Sequence, residues 1–249
     1  MFSIFSRKRF LRDLLVDFVD IHNHILPGID DGAKTIEEAL LLIDNMKQLG
    51  IKEFIPTPHV MQDFYPNTDE TIGEAYQNVL SAIHTYKDYT GISVNPAAEY
   101  MLDVHFETFL ETHNLFTLKS NYVLVELSYY QPPLNLEAII FKIKTKGYIP
   151  VLAHPERYIY FHQNFDYYKK LKQMGCMLQL NFLSLSTYYG TSVNKAAFKL
   201  IKNKWIDFVG TDIHNTRQVS KLESITLNKS VQDSLTPIIK ATNHTFSVR

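Results

Sequence analysis

Hydrophobic positions follow two different periods along this chain, and the switches between them mark its elements. Short runs rich in β-branched and other apolar residues predict strands at FVDIHNHI (18–25), KEFIPTPH (52–59), ISVNPAAEY (92–100), YVLVEL (122–127), YIPVLAHPE (148–156), CMLQLNFL (176–183) and IDFVGTDIH (206–214). Between them the spacing lengthens to that of a helix. The clearest case opens at Thr35, with Glu38 three residues later, a pair that caps a helix start reciprocally. Ile36, Ala39, Ile43 and Met46 then line one face, and Gly50 ends the pattern. Further helical stretches cover about 68–90, 135–146, 165–174, 193–203 and 221–242, with Gly91, Gly147 and Gly175 at three of the stops.

Strand and helix alternating through about seven cycles predict an α/β fold, a parallel sheet flanked by helices. Runs such as YVLVEL and YIPVLA are apolar throughout, as strands covered on both faces must be. No GxGxxG and no GxxxxGK[ST] occurs, so the nucleotide turn of an open doubly wound sheet is missing and a closed barrel is favoured. The 249 residues suit one such barrel, which typically needs about 250.

Composition narrows the chemistry. With 45% hydrophobic residues and 20% charged, the chain has ample core material. A net charge of −1 argues against general nucleic-acid binding, which wants a basic surface. Cys176 is the one cysteine, so no intramolecular disulfide exists and a reducing, cytoplasmic setting is expected. No apolar run reaches the roughly 18 residues of a membrane span, and MFSIFSRKRFLRDLL lacks the order of a secretory signal.

The chemistry concentrates where the strands end. His22 and His24 close the first, His59 the second, Glu99 the third; Glu126 lies late in the fourth, His154 closes the fifth, Asn181 falls in the sixth, and Asp212 and His214 end the seventh. In a parallel barrel these ends share one rim, where catalytic groups collect. Residues two apart on a strand face the same way, so His22 pairs with His24 and Asp212 with His214. Glu126, between Val125 and Leu127, needs a partner or a cation if buried. With Asp31 in GIDDG the set holds nine nitrogen and oxygen ligands, more than one ion uses, and no sulfur, which points to two or three ions such as manganese, iron or zinc. His84, His105, His113, His162 and His244 show no such placement and read as surface or helix residues.

Such ions suit metal-assisted hydrolysis, because they lower the pKa of bound water and clamp attacking and leaving oxygens. Arg157 and Arg217, three residues after His154 and His214, are candidate clamps for an anionic substrate group such as phosphate. A thiol mechanism would need Cys-x5-Arg, yet Phe182 stands six residues after Cys176; DxDx[TV], for an aspartyl-phosphate, is also absent.

The segments DIHNHILPGIDDG (20–32), TPH (57–59), AEY (98–100), VELS (125–128), AHPERY (153–158) and GTDIHN (210–215) resemble, in order, the motifs of the PHP superfamily. Within it they are most similar to the bacterial metal-dependent protein-tyrosine phosphatases of the CpsB/CapC/YwqE type. That resemblance implies a distorted (β/α)7 TIM-like barrel, the PHP fold, holding three divalent metal ions, commonly manganese. It implies one site of His22, His24, Glu99 and Asp212, with Glu99 bridging to a second ion held by Glu126 and His154, and a third at Asp31, His59 and His214. Arg157 matches the AHxER motif; Ala33 stands where members usually carry proline. The implied activity is hydrolysis, by metal-activated hydroxide, of phosphotyrosine on the tail of a bacterial tyrosine kinase of the capsule and exopolysaccharide system. A small-molecule phosphatase, such as one acting on histidinol phosphate, and a non-catalytic metal-stabilised module are the alternatives. Tyr65, Tyr100, Tyr129, Tyr130, Tyr158, Tyr160, Tyr188 and Tyr189 in or near the strand-end loops favour an open, aromatic site. TIEEAL (35–40) resembles a helix that members use for self-association, so a homo-oligomer is expected. Against compact members, residues 1–17 form an extension to a domain of 18–249. There Phe2, Ile4, Phe5 and Phe10 interleave with Arg7, Lys8, Arg9 and Arg12, which fits a tail, a docked helix or a membrane-surface contact.

Overall fold

The computed structural model describes residues 9–85 and 89–248. Its strands are β1 (Arg9–Phe10), β2 (Val19–Asp20), β3 (Glu53–Phe54), β4 (His59–Val60), β5 (Ser93–Val94), β6 (Glu99–Met101), β7 (Tyr122–Glu126), β8 (Ile149–Ala153), β9 (Met177–Asn181), β10 (Phe208–Gly210) and β11 (Thr226–Leu227). The helices are α1 (Ile36–Gln48), α2 (Asp69–Thr85), α3 (Phe106–Thr112), α4 (Leu136–Thr145), α5 (Asp166–Gln173), α6 (Thr191–Lys202), α7 (Thr216–Ser224) and α8 (Lys229–Phe246). The chain is thus a mixed α/β fold. Six strands form one parallel sheet in the order β10-β9-β8-β7-β6-β4, and β2-β3-β5 form a second parallel sheet.

Prolines explain why two expected strands are each split. Pro56 and Pro58 part β3 from β4, and Pro96 parts β5 from β6, because proline offers no N–H to a ladder. Backbone bonding continues across the gaps all the same. Ile55 N–H donates to the Asp20 carbonyl, Thr57 N–H to Asn23, Ala97 N–H to Pro56 and Glu99 N–H to Pro58. On the other side, Asp212 N–H donates to the His22 carbonyl at 2.7 Å, and His24 N–H to Ile213 at 2.9 Å. The HNH segment therefore runs between the end of β10 and the TPH segment.

Alternation sorts the strand residues into two apolar groups. Val123, Val125, Leu178 and Leu180 pack with the helices, including Ile139 and Ile143 of α4 and Ala197 of α6. Leu124, Val151, Ala153, Ile55, Ala97 and Phe208 face the other way and meet Phe246 of α8. That second face turns polar two residues further along: Leu124 is followed by Glu126, Ala97 by Glu99, Ile55 by Thr57 and then His59. One face thus carries an apolar plug at one end and the candidate chemistry at the other.

Four features differ from expectation. The stretch 221–242 is two helices, parted where Thr226–Leu227 pairs antiparallel with Arg9–Phe10. α3 has only seven residues, too short for its periodicity to stand out. α6 begins two residues early, at Thr191. The fourth concerns the expected extension: Leu11 and Leu15 are wholly buried, Arg12 pairs with Glu223 at 2.8 Å, and Arg9 donates to Gln232. Residues 9–15 are thus part of the packed structure; Phe2, Ile4, Phe5, Arg7 and Lys8 lie outside the described residues. No described helix is long and apolar enough to cross a membrane.

Candidate metal centre

The nine expected ligand residues converge at the C-terminal ends of the strands, as four overlapping groups: His22, His24 and Asp212; His22, Glu99 and His154; His59, Glu99 and Glu126; and His24, Asp31, His59 and His214. Glu99 is the hub. One of its oxygens lies 3.2 Å from His22 Nε2 and 3.2 Å from His59 Nδ1, the other 3.2 Å from His154 Nε2. Asp212 Oδ1 stands 3.3 Å from both His22 Nε2 and His24 Nε2. Asp31 reaches His214 Nε2 at 3.2 Å and His59 Nε2 at 3.4 Å. The grouping departs from the expected sets: His22 joins Glu99 and His154, His24 joins Asp31, His59 and His214, and Glu126 lies 2.8 Å from His59 Nδ1 but 3.9 Å from His154 Nε2.

His22 Nε2, His24 Nε2, His59 Nδ1, His154 Nε2 and both Glu99 oxygens are buried atoms with no hydrogen-bond partner. Orphaning so many buried polar atoms would cost roughly 1–3 kcal/mol each. Nitrogen and carboxylate lone pairs gathered around shared space, with no sulfur, fit divalent cations of the manganese, iron and zinc kind. The electrostatics agree. Burial opposes charging His22, yet Glu99 and Asp212 outweigh it and push the imidazole up to about 9. His24 is pushed up to about 9 in the same way, with Asp30 as the main opponent of burial. Without cations, the carboxylates draw in protons instead.

Local structure aims these groups. His154 (φ 34°) and Asp212 (φ 52°) adopt the left-handed region just beyond β8 and β10, a strain of about 1–2 kcal/mol each that the surrounding bonds must hold. Asp212 splits its oxygens: Oδ1 faces the histidines, while Oδ2 accepts from Arg157 Nη1 at 2.7 Å and Asn181 Nδ2 at 2.8 Å. Glycines allow two close approaches. A Cβ on Gly32 would meet the His24 carbonyl oxygen at 2.0 Å, and one on Gly210 would meet His22 Cβ at 2.8 Å.

Several partners escaped the motif reading. Gln179 Oε1 pairs with His22 Nδ1 at 2.8 Å and Asp30 Oδ2 with His24 Nδ1 at 2.7 Å, which leaves each Nε2 as the ligating atom. Buried Glu156, pushed up to about 7 by desolvation, accepts from Asn181 N–H and Ser184 Oγ. A polar residue inside an apolar run marks Gln179, as it did Glu126; Asp30 is hidden beside Asp31.

The centre forms the floor of a cleft of about 250 Å³, walled by Met61, Tyr65, Met101, Ser128, Tyr129 and Tyr130. Tyr65 stacks on His59 and Tyr129 on His154. Arg157 also lines the cleft, its guanidinium 4.6 Å from the Tyr129 ring centre and 4.2 Å from that of Tyr189. Tyr100 and Tyr158 are instead buried, each accepting a backbone N–H. Arg217 does not come to this cleft. Although its spacing copies that of Arg157, the turn at Pro155–Arg157 folds back over the rim, whereas Asn215 caps a helix. That helix buries Gln218, Val219 and Leu222, so Arg217 points outward and is exposed. Cys176 lies apart, 1% exposed, its thiol pushed up to about 12 by burial, which excludes a ready thiolate.

Similar proteins share this architecture. Tyrosine-protein phosphatase YwqE of Bacillus subtilis is 30% identical over 200 residues, 80% of this chain and 78% of that one. A putative tyrosine-protein phosphatase, CapC of Staphylococcus aureus, is 28% identical over 198 residues, 79% of this chain and 77% of its own. Crystal structures of YwqE and of Streptococcus pneumoniae CpsB, described as metal-dependent tyrosine phosphatases, provide a match with a TM-score of 0.74 at 27% identity, covering 92% of this chain and 87% of that one. The family model for capsular polysaccharide synthesis proteins CpsB/CapC matches residues 18–234, and the chain belongs to that family.

Proposed function

We propose that this protein is a metal-dependent protein-tyrosine phosphatase, acting on phosphotyrosine of a bacterial tyrosine kinase in the capsule and exopolysaccharide system. The observation that carries this is the convergence of nine ligand side chains, with orphaned buried donor atoms, at the floor of an open cleft rimmed by tyrosines. Membership of the CpsB/CapC family and the match to metal-dependent tyrosine phosphatases support the activity.

In this proposal His22, His24, Asp31, His59, Glu99, Glu126, His154, Asp212 and His214 hold three divalent ions, manganese first and iron or zinc next. Bound there, such ions would stabilise phosphoryl charge and lower the pKa of water. The chain's own groups do the rest. Asp30 and Gln179 fix the ring orientation of His24 and His22. Arg157, whose guanidinium lies against the rings of Tyr129 and Tyr189, offers its remaining N–H groups to the phosphoryl oxygens. Exposed Tyr130 and the open mouth suit a side chain presented on a flexible tail. Arg217 is left without a role at the cleft.

The architecture proposed is a single distorted (β/α)7 barrel over 18–249, supported by the backbone bonds that link 22–24 to both β10 and 55–57. Residues 1–17 precede it in sequence, and of these 9–15 pack against it. We place the protein in the cytoplasm, which its one free, buried cysteine supports. Self-association through α1, where Leu41 is half exposed, belongs to the same proposal. The decisive experiment measures metal content beside hydrolysis of a phosphotyrosine peptide and of histidinol phosphate. Tightly held metal with preference for the peptide is expected; histidinol phosphate as the better substrate, or full activity after verified metal removal, overturns it.

A further inference from the structure

A second concavity adjoins the cleft. It has a volume of about 230 Å³, an apolar lining that includes Val60, Pro66, Phe106 and Phe109, and a rim carrying Thr108 and Thr112 of α3. One wall separates it from the candidate centre, the segment 59–66. His59 and Val60 of β4 face opposite sides as strand neighbours do, and a tight turn follows, closed by Tyr65 N–H donating to the Met61 carbonyl; His59, Met61 and Tyr65 line the cleft while Val60, Gln62 and Pro66 line the groove. Met101, at the end of β6, lines both. Phe64 tops the wall at 69% exposure, and Val104 stands at 87% exposure between the groove residues Asp103 and His105.

Resting on the phosphatase proposal, we infer that this groove receives an apolar or aromatic side chain lying close in sequence to the phosphotyrosine of a peptide substrate. Groove and cleft lie on either side of one wall and share Met101 as a lining residue, so an extended peptide crossing the wall places its phosphotyrosine on one side and a neighbouring side chain on the other. Its volume holds about one large side chain, and an apolar lining recovers transfer free energy only from an apolar one. Aromatic rings pack at the groove: Phe109 lies against Tyr100, ring centres 5.7 Å apart, and stacks on His113. A free small phosphomonoester has nothing to place there. The groove therefore sets peptide selectivity without taking part in the chemistry.

The test uses the full chain, loaded with manganese, on phosphotyrosine peptides of equal charge. One series carries Leu or Phe at each position within three residues of the phosphotyrosine; the control series carries Ser there. The wild type should favour an apolar peptide at one position by about 10-fold or more in kcat/KM, the scale of burying one such side chain. Phe109→Ser, and separately Thr108→Glu on the exposed rim, should abolish that preference while hydrolysis of p-nitrophenyl phosphate is unchanged. Thr108→Glu keeps the test open should Phe109→Ser fold poorly. Equal rates on both peptide series, or a preference that survives both variants, overturns the inference. So does a change of oligomeric state on Thr108→Glu, which would assign the groove to a second copy of this chain. Failure to hydrolyse any phosphotyrosine peptide would defeat the phosphatase proposal itself, whereas hydrolysis without preference defeats the groove alone.

Discussion

Gly32→Ala tests how tightly the loop carrying Asp30 and Asp31 must approach His24. The added Cβ would stand 2.0 Å from the His24 carbonyl oxygen and 2.5 Å from His24 Cβ. Ordinary non-bonded contact needs roughly 3.5 Å, so the loop must retreat by about 1 Å or more. Ala33 N–H, which donates to that same carbonyl at 3.0 Å, moves with it. Metal ligands tolerate about ±0.2 Å, so Asp31 can no longer share a cation with His59 and His214. The Asp30 bond to His24 Nδ1 breaks too. Overpacking of this kind costs about 1–3 kcal/mol, which for a chain of this size lowers Tm by about 2–12 °C. A 1 Å misplacement near the reacting group costs about 100-fold in rate. Elemental analysis should show close to one cation lost per chain, with kcat/KM on a phosphotyrosine peptide down about 100-fold. A folded Gly32→Ala protein with its full metal complement and unchanged kcat/KM would refute the reasoning.

Other expectations follow from the same geometry. Arg157→Ala should lower kcat/KM by about 10²–10³-fold, the cost of one preorganised donor, while Asn181 keeps Asp212 in place and metal content stays near normal; His154→Ala should lose both metal and activity, and equal metal loss in the two variants would remove the clamp role. Cys176→Ser should leave kcat within a few-fold of wild type, since the thiol is buried far from ionisation; a loss above about 100-fold in folded protein, the scale of a lost catalytic group, would restore a thiol mechanism. In metal-free protein His22 and His24 sit near 9 against an ordinary 6.5, so their folded-state protons stabilise fully below about pH 6.5 and that stability fades as pH rises through 9. Tm in chelator should therefore fall across that window, metal addition there should release protons, and a flat or rising chelator curve would contradict the assignment.

The sequence by itself determined the alternation of the parallel strands with most of the helices and which residues could reach a common rim. Period-two alternation makes Leu124 and Glu126 face one way whatever surrounds them, and a carboxylate in such a run announces a partner. The capping pair at Thr35 and Glu38 likewise acts within one turn, and the helix begins there, with Glu38 N–H donating to Thr35 Oγ1. What depends on contacts distant in the chain was not legible. Arg157 and Arg217 have the same spacing from a histidine, yet one is turned over the cleft and the other outward by the burial of α7. Asp30 and Asp31 are neighbours of one chemistry, but only the packing of Gly32 on His24 gives the first to an imidazole and leaves the second for the outer histidines. Leu11 and Leu15 look like part of a tail until β1 finds β11, more than 200 residues away. Local periodicity fixes the direction of a side chain along its own strand; which atoms it then meets is set by close packing between segments that no short-range pattern relates.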